Sequence, residues 1–127
     1  MKRVIKTLGL ILLLVLLIAL AGVFYLNLGM KEGVEKEIPI YSAKNLADGQ
    51  YSGSTDQGRW SNQLTVTVKN GKITEIELVK DVTFVQPELS TRIFDRVIAA
   101  QTTDIDVVAG ATTTSKAYLQ SIAAALK

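Results

Sequence analysis

Hydrophobic and polar positions follow three different rules along this chain. From Thr7 to Met30 the run TLGLILLLVLLIALAGVFYLNLGM carries no charge, and it is longer than the ~20 apolar residues with which a helix crosses a bilayer. Over 63-QLTVTVK-69 the pattern alternates, with Leu64, Val66 and Val68 on one side and Thr65, Thr67 and Lys69 on the other. A period of two marks a half-buried strand. From Leu89 the spacing becomes helical. Leu89, Ile93 and Val97, joined by Phe94 and Ile98, form an apolar stripe, and Arg92, Asp95 and Arg96 lie opposite.

Turn residues punctuate these regimes. Gly49, Gly53 and Gly58 bracket a short strand around Tyr51, within a domain that opens at 48-DGQYSGS-54. Asn70-Gly71 follows the alternating strand and is the pair favoured in a tight type I′ hairpin. The return strand is 72-KITEIELV-79, with Ile76 and Leu78 on one face, and Val82 to Val85 reads as a further short strand. Pro87 and Glu88 open the helix, which is expected to run to about Gln101. Residues 102–111 form a loop. A last helix from about Thr114 to Leu126 turns Tyr118, Leu119, Ile122 and Leu126 inward. These elements predict an α+β fold: a small twisted antiparallel sheet with two helices packed on it, preceded by a single N-terminal transmembrane helix. The organisation expected is an anchor over 1–30, a charged linker over 31–47 (KEGVEKEIPIYSAKNLA) and a folded domain over 48–127, without internal repeats.

Charge orients the anchor. Lys2, Arg3 and Lys6 precede the apolar run, so the N-terminus stays cytoplasmic and the domain is extracytoplasmic, in a periplasm or at the cell surface. Ala19-Leu20-Ala21 also resembles a signal-peptidase site, but the apolar run continues past it through Val23, Phe24, Tyr25, Leu26 and Leu28, and its length favours an uncleaved anchor. The overall charge of +2 owes three positive charges to that cytoplasmic flank. From Asp48 onward acidic and basic residues nearly balance, and no basic block interleaves with aromatics, so nucleic acid is not an expected partner. The chain has no His and no Cys. That removes the usual general base, thiolate nucleophiles, disulfides, zinc-thiolate sites and iron–sulfur ligation. Redox chemistry on this chain would need an organic cofactor, and no metal site is expected.

The remaining candidate chemistry lies in 106-DVVAGATTTS-115. Thr112, Thr113, Thr114 and Ser115 stand at a helix entrance behind Ala109-Gly110-Ala111. Hydroxyls there can cap the free N–H groups of the first turn. The same N–H groups and the helix dipole also favour a phosphate, and a glycine lets it approach the backbone.

This segment resembles the attachment motif of the FMN-binding domain family, which includes the C subunit of sodium-translocating NADH:quinone reductase and the G subunit of the related Rnf complex. The motif runs Asp, two variable residues, Ser or Thr, Gly, Ala, Thr, and often a variable residue, Thr and Ser. Asp106, Gly110, Ala111, Thr112, Thr114 and Ser115 match, while Ala109 stands where the family has a hydroxyl residue. The likeness extends upstream through 64-LTVTVKNGKITEIELV-79 to 48-DGQYSG-53. The resemblance implies covalent FMN, joined through its phosphate to Thr112 by a separate exported flavin transferase acting on FAD. Thr113 and Thr114 are secondary acceptors, and Asp106 is part of the sequence the transferase reads or a loop-capping residue. Trp60, Tyr51 and Phe84 are candidate neighbours of the flavin ring, each with ordinary core packing as its alternative. The function implied is a membrane-anchored electron carrier serving membrane quinones or redox proteins, rather than an enzyme with its own organic substrate. The alternatives are a noncovalent FMN binder and a membrane-tethered, non-redox binding or assembly module.

Overall fold

The computed structural model describes residues 1–27 and 37–127. Helix α1, Lys2–Asn27, is apolar throughout its middle, with a mean hydropathy of 2.9 over its best window and no buried residue. At 1.5 Å per residue its length exceeds the ~30 Å hydrocarbon thickness of a bilayer. The end of the expected span, 28–30, and the first part of the expected linker, 31–36, lie outside the described residues.

The domain is a three-stranded antiparallel sheet in the order β1 (Gly49–Thr55), β2 (Asn62–Lys69), β3 (Lys72–Lys80), with α2 (Pro87–Ala100) and α3 (Thr112–Leu126) packed on it. The α+β architecture is the one that the alternation and the stripe predict. Asn70 and Gly71 adopt φ of 54° and 71°, the two positive values that a type I′ turn requires. The Asn70 N–H also donates to Asp48 Oδ1 at 2.8 Å, which ties the hairpin to the start of the domain.

Leu64, Val66 and Val68 of β2 are buried beneath α3, as the period of two predicts. On β3 the register shifts twice, once opposite Gln63/Leu64 and once opposite Thr67/Val68. The second shift skips one residue of β3, so Ile73 pairs with Val68 and joins Ile76 and Leu78 against the core despite its odd spacing. One side chain pairs with the outer edge of β3 at Ile73. Gln101 Oε1 accepts from the Ile73 N–H at 2.7 Å, and its Nε2 donates to Ile73 O at 2.9 Å and Ile98 O at 2.6 Å. An amide in that position imitates a paired strand and satisfies an exposed edge.

Two expected elements are corrected. Val82 to Val85 is not a strand: Asp81 and Thr83 turn the chain off the sheet edge. Asp81 Oδ1 accepts from the Tyr118 hydroxyl at 2.5 Å and the Val82 N–H at 2.7 Å, and the Thr83 N–H donates to Arg59 O at 2.9 Å. The last helix begins at Thr112, two residues before the expected Thr114. It is buried on nearly every side from Ala117 to Leu126, with Ala124 the exception, because the sheet, α2 and the 37–47 segment surround it. In that segment Ala43 is buried, and Ile38, Tyr41 and Leu46 pack against the core. Thr103 fastens it by accepting from the Tyr41 N–H at 3.0 Å and donating to Pro39 O at 2.7 Å.

The sheet and α3 approach each other tightly at Gly53. A Cβ there would lie 1.8 Å from Ser121 O and 2.7 Å from Ala125 N. Only glycine lets β1 sit this near the backbone of α3.

Candidate functional site

The α3 entrance is built on a turn, Val108 to Ala111, closed by the Ala111 N–H on Val108 O at 3.0 Å. Gly110 takes φ of +79° at its third position, and nothing lies within 4 Å of where its Cβ would be. The glycine therefore serves the backbone conformation and leaves open space above it. Asp106 belongs to the approach to this turn. Its carbonyl accepts from Arg96 Nη1 at 2.9 Å, and the residue is exposed.

None of the four hydroxyls caps the helix. Ala111 is the N-cap residue, and no side-chain cap bond forms. Ser115, fully buried, instead accepts from the Val108 N–H at 3.2 Å and holds the turn against the helix. The first helical N–H with an acceptor outside the helix is that of Ser115, on Ala111 O at 2.9 Å. The N–H groups of Thr112, Thr113 and Thr114 have no acceptor among the described residues. Such unpaired donors at a helix start favour an anion. Thr113 is buried, whereas Thr112 and Thr114 are half-buried.

Three hollows meet at Gly110-Ala111. One of about 330 Å³ runs between Arg59-Trp60 and residues 110–114. A second of about 180 Å³ lies beside Val82, Phe84 and Gln86 and includes Thr114. The third, about 650 Å³, lies on the other side of the turn against the start of α2, where Pro87, Leu89 and Val108 supply apolar walls and Glu88 and Arg92 supply charge. A volume of that size suits a small organic ligand.

Of the three aromatics considered as ring neighbours, Trp60 and Phe84 line these hollows. Tyr51 does not; its hydroxyl donates to Ala47 O at 2.6 Å on another part of the domain. Trp60 is buried, while Phe84 is 53% exposed. Arg59, which the sequence reading did not single out, joins them. Its Cζ lies 4.2 Å from the Trp60 ring centre and 5.2 Å from that of Phe84. Its Nε is buried without a hydrogen-bond partner. An Arg-Trp pair directly after Gly58 was the available signal, but the third member comes from a distant loop, tied to Arg59 by the Thr83–Arg59 backbone bond.

The FMN-binding domain family matches residues 58–127, from the turn that carries Arg59 to the end of α3. The chain belongs to that family. Comparison with curated proteins returns no match. The family match begins after β1, although β1 pairs with β2 along its full length and completes the sheet. FMN is thus the supported cofactor, and an FMN-binding domain behind one membrane-competent helix fits a membrane-anchored FMN-binding protein. A secretion signal shares the length and composition of such a helix.

The residues present fit an FMN phosphate. The two hollows on the Arg59 side contain one cation and no carboxylate, an orphaned guanidinium nitrogen, and the free N–H groups of the first α3 turn. Among the described residues no cluster of acidic side chains suits a metal ion.

Proposed function

We propose that this protein is a membrane-anchored, extracytoplasmic electron-transfer flavoprotein whose FMN is held by a phosphodiester to Thr112. The observation that carries the reading is the state of the α3 entrance. Thr112 occupies the motif position, is half-buried at the mouth of the cleft, and stands among N–H groups that no acceptor among the described residues uses. Ser115 is committed to the Val108 N–H, and Thr113 is buried, which leaves Thr112 and Thr114 as the accessible hydroxyls.

In forming the linkage, the Thr112 hydroxyl oxygen gains a bond to phosphorus, FAD loses AMP, and the hydroxyl proton leaves with the base of the transferase. A diester retains one negative charge, which the N-terminal N–H groups of α3 stabilise. FMN supplies one- and two-electron redox chemistry when bound. The protein supplies the tether, the anion site and a wall of mixed apolar and charged side chains. Helix α1 acts as the anchor, with Lys2, Arg3 and Lys6 on the cytoplasmic side. That placement holds the cofactor near membrane quinones or redox proteins, and the covalent bond prevents its loss outside the cell.

The test is to express the full chain with and without a flavin transferase and to measure intact mass and in-gel flavin fluorescence. The expected result is a gain equal to FMN less one water, absent in Thr112→Ala. Yellow protein that loses its colour on denaturation would indicate noncovalent binding. Protein with neither signal would indicate a non-redox binding module.

A further inference from the structure

We propose that Arg59, in contact with both Trp60 and Phe84, is the counter-ion for the phosphoryl group at the α3 entrance. This deepens the reading of residues 110–114 as the FMN phosphate site and rests on it, but it does not require the covalent bond.

The guanidinium lies close to two aromatic rings. Its Cζ is 4.2 Å from the Trp60 ring centre and 5.2 Å from that of Phe84. Cation–π contacts at these distances hold the guanidinium in place, and its N–H groups are the part that grips phosphate oxygens. Those N–H groups have no acceptor among the described residues. Arg59 makes no side-chain hydrogen bond or ion pair among the described residues, and its Nε is shielded from solvent as well. A buried donor with no acceptor is unfavourable unless a ligand satisfies it.

The surroundings select the ligand's charge. Among the described residues Arg59 is the only charged one lining the two hollows it shares with Gly110, Ala111 and Thr114, and the N–H groups of Thr112 to Thr114 add further donors. The fold also invests in holding these contacts. The Thr83 N–H bonds to Arg59 O at 2.9 Å, and Tyr118 holds Asp81 at the start of the same loop. Phe84 stays 53% exposed beside Arg59 instead of entering the core.

The test uses the full chain in detergent, prepared from cells lacking a transferase, titrated with FMN and with riboflavin by flavin fluorescence. The two ligands differ by the phosphate alone. Wild type is expected to bind FMN about tenfold more tightly than riboflavin, in the range of one charge-assisted contact at a partly exposed site. Arg59→Gln should lower the ratio severalfold, leaving only the share supplied by the N–H groups of α3. Arg59→Met keeps apolar packing against both rings and should do the same, so it decides the matter if the glutamine variant does not fold. A wild type without preference for FMN would overturn the proposal, as would either variant that retains the wild-type ratio. An arginine that only packs on Trp60 would alter the melting temperature and leave the ratio unmoved. Intact mass after transferase exposure reports separately on the Thr112 linkage, so loss of one reading does not entail loss of the other.

Discussion

Two glycines face the same helix at opposite ends and serve it in opposite ways. Gly53 of β1 is required by what it touches: a single added carbon would overlap Ser121 O and crowd Ala125. Gly110 touches nothing at the corresponding position and is required by its φ of +79°. The difference extends to the parts of α3 they adjoin. Around Gly53 the helix is packed on nearly all sides, with Ser121 and Ile122 fully buried. Beside Gly110 its first turn is half-buried and its N–H groups are unpaired. One end is closed for stability and the other is kept open for a ligand. Local rules are commonly broken at sites of this second kind.

The sharpest way to break the comparison is Gly53→Ala. The atoms in the way belong to backbone and to Ala125 Cβ, so no flexible side chain can yield. Overpacking against backbone should cost about 3 kcal/mol or more. The expected outcome is a large drop in melting temperature, or no folded domain at all. A variant that melts within a few degrees of wild type would show that β1 and α3 can separate without loss, and that the closed end is not closed.

Tyr118 tests how the closed end supports the open one. It is buried in the body of α3, its ring meets Phe94 edge-on at 5.6 Å, and its hydroxyl donates to Asp81 at the root of the Phe84 loop. Burial, reinforced by the hydrogen bond to Asp81 and the charge there, pushes the phenol well above its ordinary value. The folded state therefore holds this proton more tightly than the unfolded chain does. The resulting stability is fully present below about pH 10 and declines as pH rises beyond it. Tyr118→Phe should remove that alkaline decline and lower stability at neutral pH by about 1.5 kcal/mol, the value of a hydrogen bond to a charged acceptor. Chemical denaturation at neutral and alkaline pH measures both. An unchanged alkaline slope in the phenylalanine variant would assign the decline to other groups.

The two ends also differ in how far they can be read from sequence. Elements specified by adjacent residues are legible: the Asn70-Gly71 turn, the Leu64-Val66-Val68 face, the Leu89-Ile93-Val97 stripe and the Gly110-Ala111-Thr112 step are each contiguous or strictly periodic. What sequence reasoning missed depends on distant partners. Val82 to Val85 has strand composition, but Tyr118 draws Asp81 off the sheet and the Thr83 N–H turns to Arg59 O. Ala117, Ser121 and Ala125 recur every four residues as one helical face, but small side chains, one of them polar, give that face no hydrophobic signal; they fill the narrow space against β1. The hydroxyl run suggested capping, yet Ser115 turns back to the loop and Ala111 takes the cap position. Arg59 acquires its character only when Phe84, far along the chain, is folded over it.

Gly110→Ala should have the smallest effect on stability and the most selective effect on the site. No atom obstructs the new carbon, so the cost is that of placing an L-residue in the left-handed region, about 1 kcal/mol. The carbon would, however, project into the space where the hollows on both sides of the turn meet. That is where a phosphate must come close to the backbone if Thr112 carries one. The expected result is a domain that melts only slightly early but accepts flavin at a clearly reduced yield, measured as the modified fraction by intact mass after equal exposure to transferase. The contrast with Gly53→Ala then separates fold from site. If Gly110→Ala loads flavin as wild type does, the open space above the turn is not the approach of the phosphate, and its glycine serves the turn alone.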